Sequence, residues 1–455
     1  MSAALVAPAP AQPLRPYQSD AIELVRDSMR RGHKRTVLVM PTGSGKTKTA
    51  AEIARSAIAK TRRVLWLTHR TELVSQSARA LTDLELHVGI VAAGVDADAT
   101  APVQVASIQT LVARDTVRPP ADLIIIDEAH HMGESSECWV RILDAYPNVH
   151  TLGLTATPER GDGTGLAPIF TDLVVGVTVR KLTDLGHLVP CEIDRPGSWL
   201  RYGREGNPLA QEPLVRYREI GEQRTGFGFA RSVEEAERYA REFTEAGIRS
   251  VCVHGKTPDD QRAAAISMFR EGRVRIIWNV YVFTEGTDIP SASVCILACN
   301  VGTAGGFLQR VGRILRPAPR KTSALLIDLP GVSHLWGPPE DERVYKLDGK
   351  GIVRAGQVCR VCGQPVLEYP CPTCGYAPDP DATRDMGTTE IVNAPMQRFA
   401  RKIAEGPEQR RETFERWCAT ARAKGHRIRS VGHKWKAVYG QPIENESWWR
   451  GWGAV

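Results

Sequence analysis

The sequence predicts an α/β protein with two large domains, each folded around a doubly wound parallel sheet, on three observations. At 455 residues the chain is longer than one compact core usually carries, so length favours two large domains with smaller modules attached. Short apolar runs without alternation recur, each followed by a helix-like stretch, which is the mark of strands buried on both faces of a parallel sheet. That pattern lapses once in mid-chain and then resumes.

In the first half the runs are Val37 to Met40, Val64 to Leu67, Val103 to Ala106, Leu123 to Ile126 and Leu152 to Leu154, with helices beginning at Lys46 and Glu72. They make a first domain over 12–188. The stretch from Pro190 to Gly226 is rich in Pro, Gly, Arg and Glu and reads as a connection. A second domain over 189–345 has strands at Phe227 to Ala230, Val251 to Val253, Ile276 to Val280, Val294 to Ala298 and Ala324 to Ile327. Its helices are expected at Val233 to Ala246, Asp259 to Glu271 and Gly305 to Leu315.

Hydrophobic residues make up 42% and charged residues 24% of the chain, a globular balance that excludes a disordered or membrane-embedded class. No apolar run is long enough to span a bilayer, and Ser2 to Pro13 lacks the basic start and apolar centre of a signal peptide. That stretch reads as a short loose tail. Four of the ten cysteines fall into two Cys-x-x-Cys pairs and the rest scatter, which favours a reducing compartment. The net charge of +7 is modest, yet from Met396 onward 13 Lys/Arg face six Asp/Glu. A polyanionic partner fits that asymmetry.

The densest local signal is Pro41-Thr42-Gly43-Ser44-Gly45-Lys46-Thr47, which lies between a strand and a helix as a phosphate-binding loop requires. Gly43 and Gly45 let backbone N–H groups approach phosphates, Lys46 neutralises β/γ charge, and the Thr47 hydroxyl suits Mg²⁺. Met40 stands where the strict loop pattern has its first Gly. A Gly-rich turn could explain a lone match, but Leu123-Ile124-Ile125-Ile126 ends in Asp127-Glu128-Ala129-His130 at a sheet's C-terminal edge, where ligands bind. Asp127 suits the metal, and Glu128 suits orienting an attacking water.

These two motifs together resemble the superfamily 2 helicases, with Asp127-Glu128-Ala129-His130 as the DEAH form of the second motif. The resemblance implies two tandem RecA-like domains that bind ATP and Mg²⁺ between them and move along nucleic acid. It extends to Leu14-Arg15-Pro16-Tyr17-Gln18, where it implies that Gln18 reads the adenine edge, supported by Arg15 and Tyr17. Thr68 to Leu73 and Ser107 to Thr110 sit where the family contacts the nucleic-acid backbone. Thr155-Ala156-Thr157-Pro158 matches its coupling motif. Phe283 to Pro290 is similar to the fifth motif, with Gly286 and Asp288 at nucleotide-sensing positions. Gln309-Arg310-Val311-Gly312-Arg313-Ile314-Leu315-Arg316 is similar to the sixth. There the resemblance gives Gln309 to the nucleotide site and makes Arg313 and Arg316, three apart on one expected helical face, arginine fingers. His254, Lys256, Arg262 and Asn279 also fit the family. Thr225 to Ala230 is a Gly-interrupted version of the strand that opens the second domain.

Cys359, Cys362, Cys371 and Cys374 have the spacing of a closed four-thiolate Zn²⁺ site, so a zinc ribbon is expected over 356–378. A short basic, α-rich module over 390–455 carries Trp417, Trp435, Trp448, Trp449 and Trp452 among its Lys and Arg residues. Interleaved aromatics and cations suit single-stranded or junction DNA; the tryptophans also suit a small core. With this ribbon the chain resembles the RadD-type bacterial and phage DNA repair helicases. The expectation is a cytoplasmic, ATP-dependent helicase or translocase acting on single-stranded, forked or branched DNA, with no membrane association. An RNA helicase, a restriction-system motor subunit and a zinc-dependent docking protein with a degenerate ATPase are the competing readings.

Overall fold

Strand β1 (Arg35–Val39), behind helix α1 (Pro16–Arg30), lies near one edge of the first parallel sheet of the computed structural model. The structure describes residues 13–69, 71–92, 98–113, 118–133, 136–167, 169–196, 209–282, 289–348, 352–354, 389–393, 411, 414, 415 and 418. The chain divides into two compact units, Met1–Ile391 and Val392–Val455, and both large sheets have their cores in the first.

The first lobe continues with α2 (Lys46–Ile58), β2 (Val64–Thr68), α3 (Thr71–Thr82), β3 (Val88–Val91), β4 (Val103–Ser107), α4 (Ile108–Ala113) and β5 (Leu123–Ile126). A 3₁₀ turn (Ala129–Gly133), α5 (Ser136–Asp144), β6 (His150–Thr155), β7 (Asp172–Val175) and α6 (Val179–Asp184) complete it. The strand order is β3-β4-β2-β5-β6-β1-β7, every pair parallel. After β1 the chain crosses to β2, three places away, while β7 pairs on the other side. That reversal puts a crevice at the C-terminal edge beside β1.

The apolar runs are continuous because both faces are covered. Ile124 and Ile126 of β5 pack with Leu65, Leu67, Trp139 and Phe170 in one core, and strand alternation turns Ile125 to the opposite face.

The second lobe runs β8 (Cys191–Pro196), α7 (Pro213–Ile220), β9 (Gly226–Ala230), α8 (Val233–Glu245), β10 (Ser250–Val253) and α9 (Asp259–Arg270). It then adds β11 (Ile276–Asn279), β12 (Val294–Ala298), α10 (Ala304–Gly312) and β13 (Ala324–Asp328). These strands pair in parallel in the order β10-β11-β9-β12-β13-β8. Helix α8 is capped by Ser232, whose hydroxyl accepts from the Glu235 N–H at 3.2 Å. It presents Ala236, Tyr239, Ala240 and Phe243 to Trp278 and Ile296.

One expectation needs correcting here. The stretch from Pro190 to Gly226 is more than a connection, because Cys191–Pro196 is a strand paired with β13 and Pro213–Ile220 is a helix. Charged Glu192, Asp194 and Arg195 interrupt the apolar run, yet Asp194 is buried against the Arg216 guanidinium on α7. The Gly-interrupted segment, by contrast, is a regular inner strand. A Cβ at Gly228 would lie 2.4 Å from the Trp278 ring, so glycine there makes room for the indole on β11.

Candidate active site

The phosphate-binding loop leaves β1 and enters α2 through two left-handed glycines, Gly43 at φ 85° and Gly45 at φ 81°. A side chain at Gly45 would also displace the Gln18 amide from the loop, since its Cβ would sit 2.5 Å from the amide nitrogen. Behind the loop, Tyr17 donates its hydroxyl to the Ser44 carbonyl at 2.9 Å. The Gln18 amide donates to the Ser44 and Gly45 carbonyls at 3.2 and 3.4 Å. The Gln18 oxygen accepts from the Arg15 N–H at 2.9 Å, and Ser44 donates its hydroxyl to Pro41 at 2.7 Å. Gln18 and Ser44 thus buttress the loop from behind.

The cleft in front of the loop has a volume of about 500 Å³. It is lined by Arg15, Thr42, Gly43, Gly45, Lys46 and Thr47, by Asp127 and Glu128 at the end of β5, and by Arg313 and Arg316 of the second lobe. Four cationic side chains face two carboxylates there, a net excess of two positive charges that matches a polyphosphate carrying a divalent cation. Burial presses the Lys46 pKa below its ordinary value; Glu128 and Asp127 oppose that, while Arg313 and Arg316 add to it. The Thr47 hydroxyl and Asp127 carboxylate are hard oxygen donors of the kind Mg²⁺ takes.

Glu128 is held at φ 48°, a left-handed conformation uncommon for a side chain of its size, and its N–H donates to Asp127 Oδ1 at 3.0 Å. Next to it, His130 joins the lobes. The Thr155 hydroxyl donates to the Thr157 carbonyl at 2.8 Å, so toward His130 Nδ1, 3.1 Å away, it can only accept. The imidazole proton therefore sits on Nδ1, leaving Nε2 to accept from the Gln309 amide at 3.0 Å. The same amide donates to Thr157 Oγ1 at 3.1 Å. Gln309 of the second lobe thus reads the β5 and β6 motifs of the first rather than lining the cleft.

Helix α10 ends at Gly312, with Arg313 at its C-cap. The expected single helical face for Arg313 and Arg316 is therefore replaced by a turn that brings both into the cleft. Ser107 caps α4, accepting from the Thr110 N–H at 3.2 Å, and Gln109 donates to the His69 carbonyl. Asn279 is buried and donates to the Gly228 carbonyl at 2.9 Å. Gly286 and Asp288, and Cys359, Cys362, Cys371 and Cys374, lie outside the described residues.

Three residues at this site escape sequence reasoning. Glu159, 6% exposed, accepts from the Gly305 N–H at the start of α10 at 2.5 Å. His187 lines the cleft and lies 5.6 Å, ring to ring, from Tyr17. Lys321 contacts the segment that carries Arg316. Only Glu159 has a sequence signal, its place directly after the coupling motif.

Comparison with known proteins agrees with this geometry. Residues 12–160 match the family described as type III restriction enzyme, res subunit, and residues 211–318 match the helicase conserved C-terminal domain. The chain is 31% identical over 362 residues to a 51.5 kDa protein of Lactococcus phage (isolate 7-9), covering 74% of this chain and 76% of that one. It is 30% identical to a Saccharomyces cerevisiae protein named as the ATP-dependent helicase IRC3, covering 70% of this chain and spanning about half (52%) of that longer protein. It is 26% identical to the DNA 3'-5' translocase XPB2 of Sulfurisphaera tokodaii, covering 70% of this chain and 81% of that one. With a phosphate-binding loop, an Asp-Glu strand end and two arginines from a second parallel-sheet lobe around one cleft, the chain belongs to the superfamily 2 helicases, ATP-hydrolysing enzymes that act on nucleic acid.

Proposed function

We propose that this protein is a DNA-stimulated ATPase that works as a helicase or branch-remodelling translocase in DNA repair or recombination. The observation that carries the reading is the single cleft holding Lys46, Thr47, Asp127 and Glu128 from one lobe and Arg313 and Arg316 from the other. ATP would lie between the lobes with its phosphates on the loop N–H groups and the Lys46 ammonium. Thr47 and Asp127 would hold Mg²⁺, which when bound neutralises developing phosphate charge. Glu128 orients the attacking water, and Arg313 and Arg316 stabilise the charge that builds on the transferred phosphoryl group.

Because the arginines come from the second lobe, the bound triphosphate draws the lobes together and hydrolysis releases that pull, so a strand held across both is advanced. The His130–Gln309–Thr157 contacts supply a route by which the state of the phosphates reaches lobe position. DNA is favoured over RNA by Thr155-Ala156-Thr157, which differs from the Ser-Ala-Thr usual in the RNA enzymes, and by the likeness to a named DNA translocase. We further infer that Cys359, Cys362, Cys371 and Cys374 bind Zn²⁺ and, with the basic Trp-rich stretch, select the substrate.

The test is steady-state ATP hydrolysis without nucleic acid and with single-stranded DNA, forked DNA or RNA, with Lys46→Ala as the blank. DNA should stimulate the rate and the variant should abolish it, by two orders of magnitude or more if the lysine acts on transition-state charge. Stimulation by RNA alone would overturn the DNA reading. Stimulation by neither would leave a nucleotide switch.

A further inference from the structure

The turn beyond Arg316 holds an arrangement the ATP site does not itself explain. Lys321 is half-buried, and its Nζ donates to three backbone carbonyls: Pro290 at 3.0 Å, Ala292 at 2.5 Å and Arg316 at 2.6 Å. An ammonium has three N–H donors, so these contacts use all of them. Pro290 and Ala292 lead into β12, whereas Arg316 leaves the turn after α10, so one side chain ties two separate segments together. Both Pro290 and Arg316 line the cleft.

Placing this lysine costs the fold stability in two ways. Arg320 adopts a left-handed φ of 64°, and the Lys321 N–H closes a turn onto the Ala318 carbonyl at 3.1 Å, which sends the side chain back toward Arg316. The left-handed conformation is unfavourable for a residue with a Cβ. Burial, with Arg224 and Arg316 nearby, pulls the Lys321 pKa down to about 7, so the ammonium also sits at an electrostatic penalty. A lysine serving only solubility would lie in water.

We infer that Lys321 is a positioning residue for ATP hydrolysis: by fixing the Arg316 carbonyl against those of Pro290 and Ala292, it sets the backbone from which Arg316 enters the cleft. The Arg316 stem passes close to the phosphate-binding loop, where a Cβ in place of the Gly43 hydrogen would lie 3.2 Å from its Cγ. An ångström lost at its backbone is passed on to the phosphates. The inference rests on the reading that Arg316 acts on the transferred phosphoryl group.

The experiment compares Lys321→Met, Lys321→Gln, Arg316→Ala and the Lys321→Met/Arg316→Ala double variant in the full chain. The readouts are kcat and KM for ATP with single-stranded DNA, affinity for fluorescent ADP, and melting temperature. Lys321→Met should lower kcat on the order of 10- to 100-fold, the cost of a misplaced catalytic group, while ADP affinity stays within about twofold. Lys321→Gln, which keeps two donors, should fall between it and the wild type. The double variant should be no slower than Arg316→Ala, because Lys321 acts through that residue. A wild-type kcat in Lys321→Met beside a slow Arg316→Ala would overturn the inference alone, as would multiplicative losses in the double variant. A wild-type kcat in Arg316→Ala would overturn the reading of Arg316 itself. If Lys321→Met does not fold, Lys321→Gln decides by the same criteria.

Discussion

Glu340 shows how one residue can hold a lobe together and destabilise it at the same time. It is 2% exposed, and one carboxylate oxygen accepts from the Cys191 N–H at 2.8 Å where β8 begins. The other oxygen has no hydrogen-bond partner among the described residues. Burial is the main reason its pKa is pushed up to about 7. An acid whose folded pKa exceeds its unfolded value contributes stability that is complete below the unfolded pKa, near 4.5, and is lost as pH rises to the folded one. Glu340→Gln can keep the bond from Cys191 and never ionises. Its stability relative to the wild type should therefore climb between about pH 4.5 and 7 and then level off, a change of roughly 3 kcal/mol at most. Melting temperatures of the two proteins across that range check it, and a gap that does not move with pH would show that folding leaves the Glu340 pKa at its unfolded value.

At the scale of elements, the contact that stands out is between the loop after β6 and helix α10. Thr303 caps α10, accepting from the Gly306 N–H at 3.1 Å, and Glu159 takes the neighbouring Gly305 N–H. A carboxylate of one lobe thus sits on the positive end of a helix in the other, the helix that carries Gln309 and leads to Arg313. Glu159→Gln keeps the shape and removes the charge, at a cost to lobe closure of about 1 kcal/mol, or roughly fivefold in an equilibrium constant. The expected result is a DNA-stimulated rate reduced by about that factor with ADP affinity unchanged; an unaltered rate would make the contact incidental. Apolar runs such as Leu123 to Ile126 and Val294 to Ala298 made the inner strands legible, because burial on both faces leaves no room for polar residues. Strand β8 was not legible, since the partner that neutralises Asp194, Arg216, lies on a helix 22 residues on. The phosphate loop and the Asp127-Glu128 pair could be read because their chemistry is local in sequence. Lys321 could not, and Glu159 only by its place after the coupling motif, because each derives its meaning from a backbone group that only the tertiary fold brings near.

At the scale of the whole molecule, the motor and the cysteine-bearing segment C-terminal to it should be stabilised by different means. The two lobes each have an extensive core of their own, with Trp139 and Phe170 in the first and Trp278 and Phe243 in the second. All the residues proposed to handle ATP fall between Arg15 and Arg316. The four cysteines come after residue 355, in a stretch rich in Gly and Pro with few large apolar side chains. A segment of that composition lacks the apolar area to fold alone, and a four-thiolate zinc site would supply the missing free energy locally. Metal loss should then unfold the ribbon and leave the lobes standing. Cys371→Ser is accordingly expected to reduce bound zinc from about one per chain to near none, read by atomic absorption. Basal ATP hydrolysis should stay within about twofold of wild type, while the preference among single-stranded, forked and branched DNA is weakened. An ATPase that dies with the metal would mean that the cysteine segment is part of the motor, and a variant that keeps its zinc would mean that the cysteines do not form one four-thiolate site.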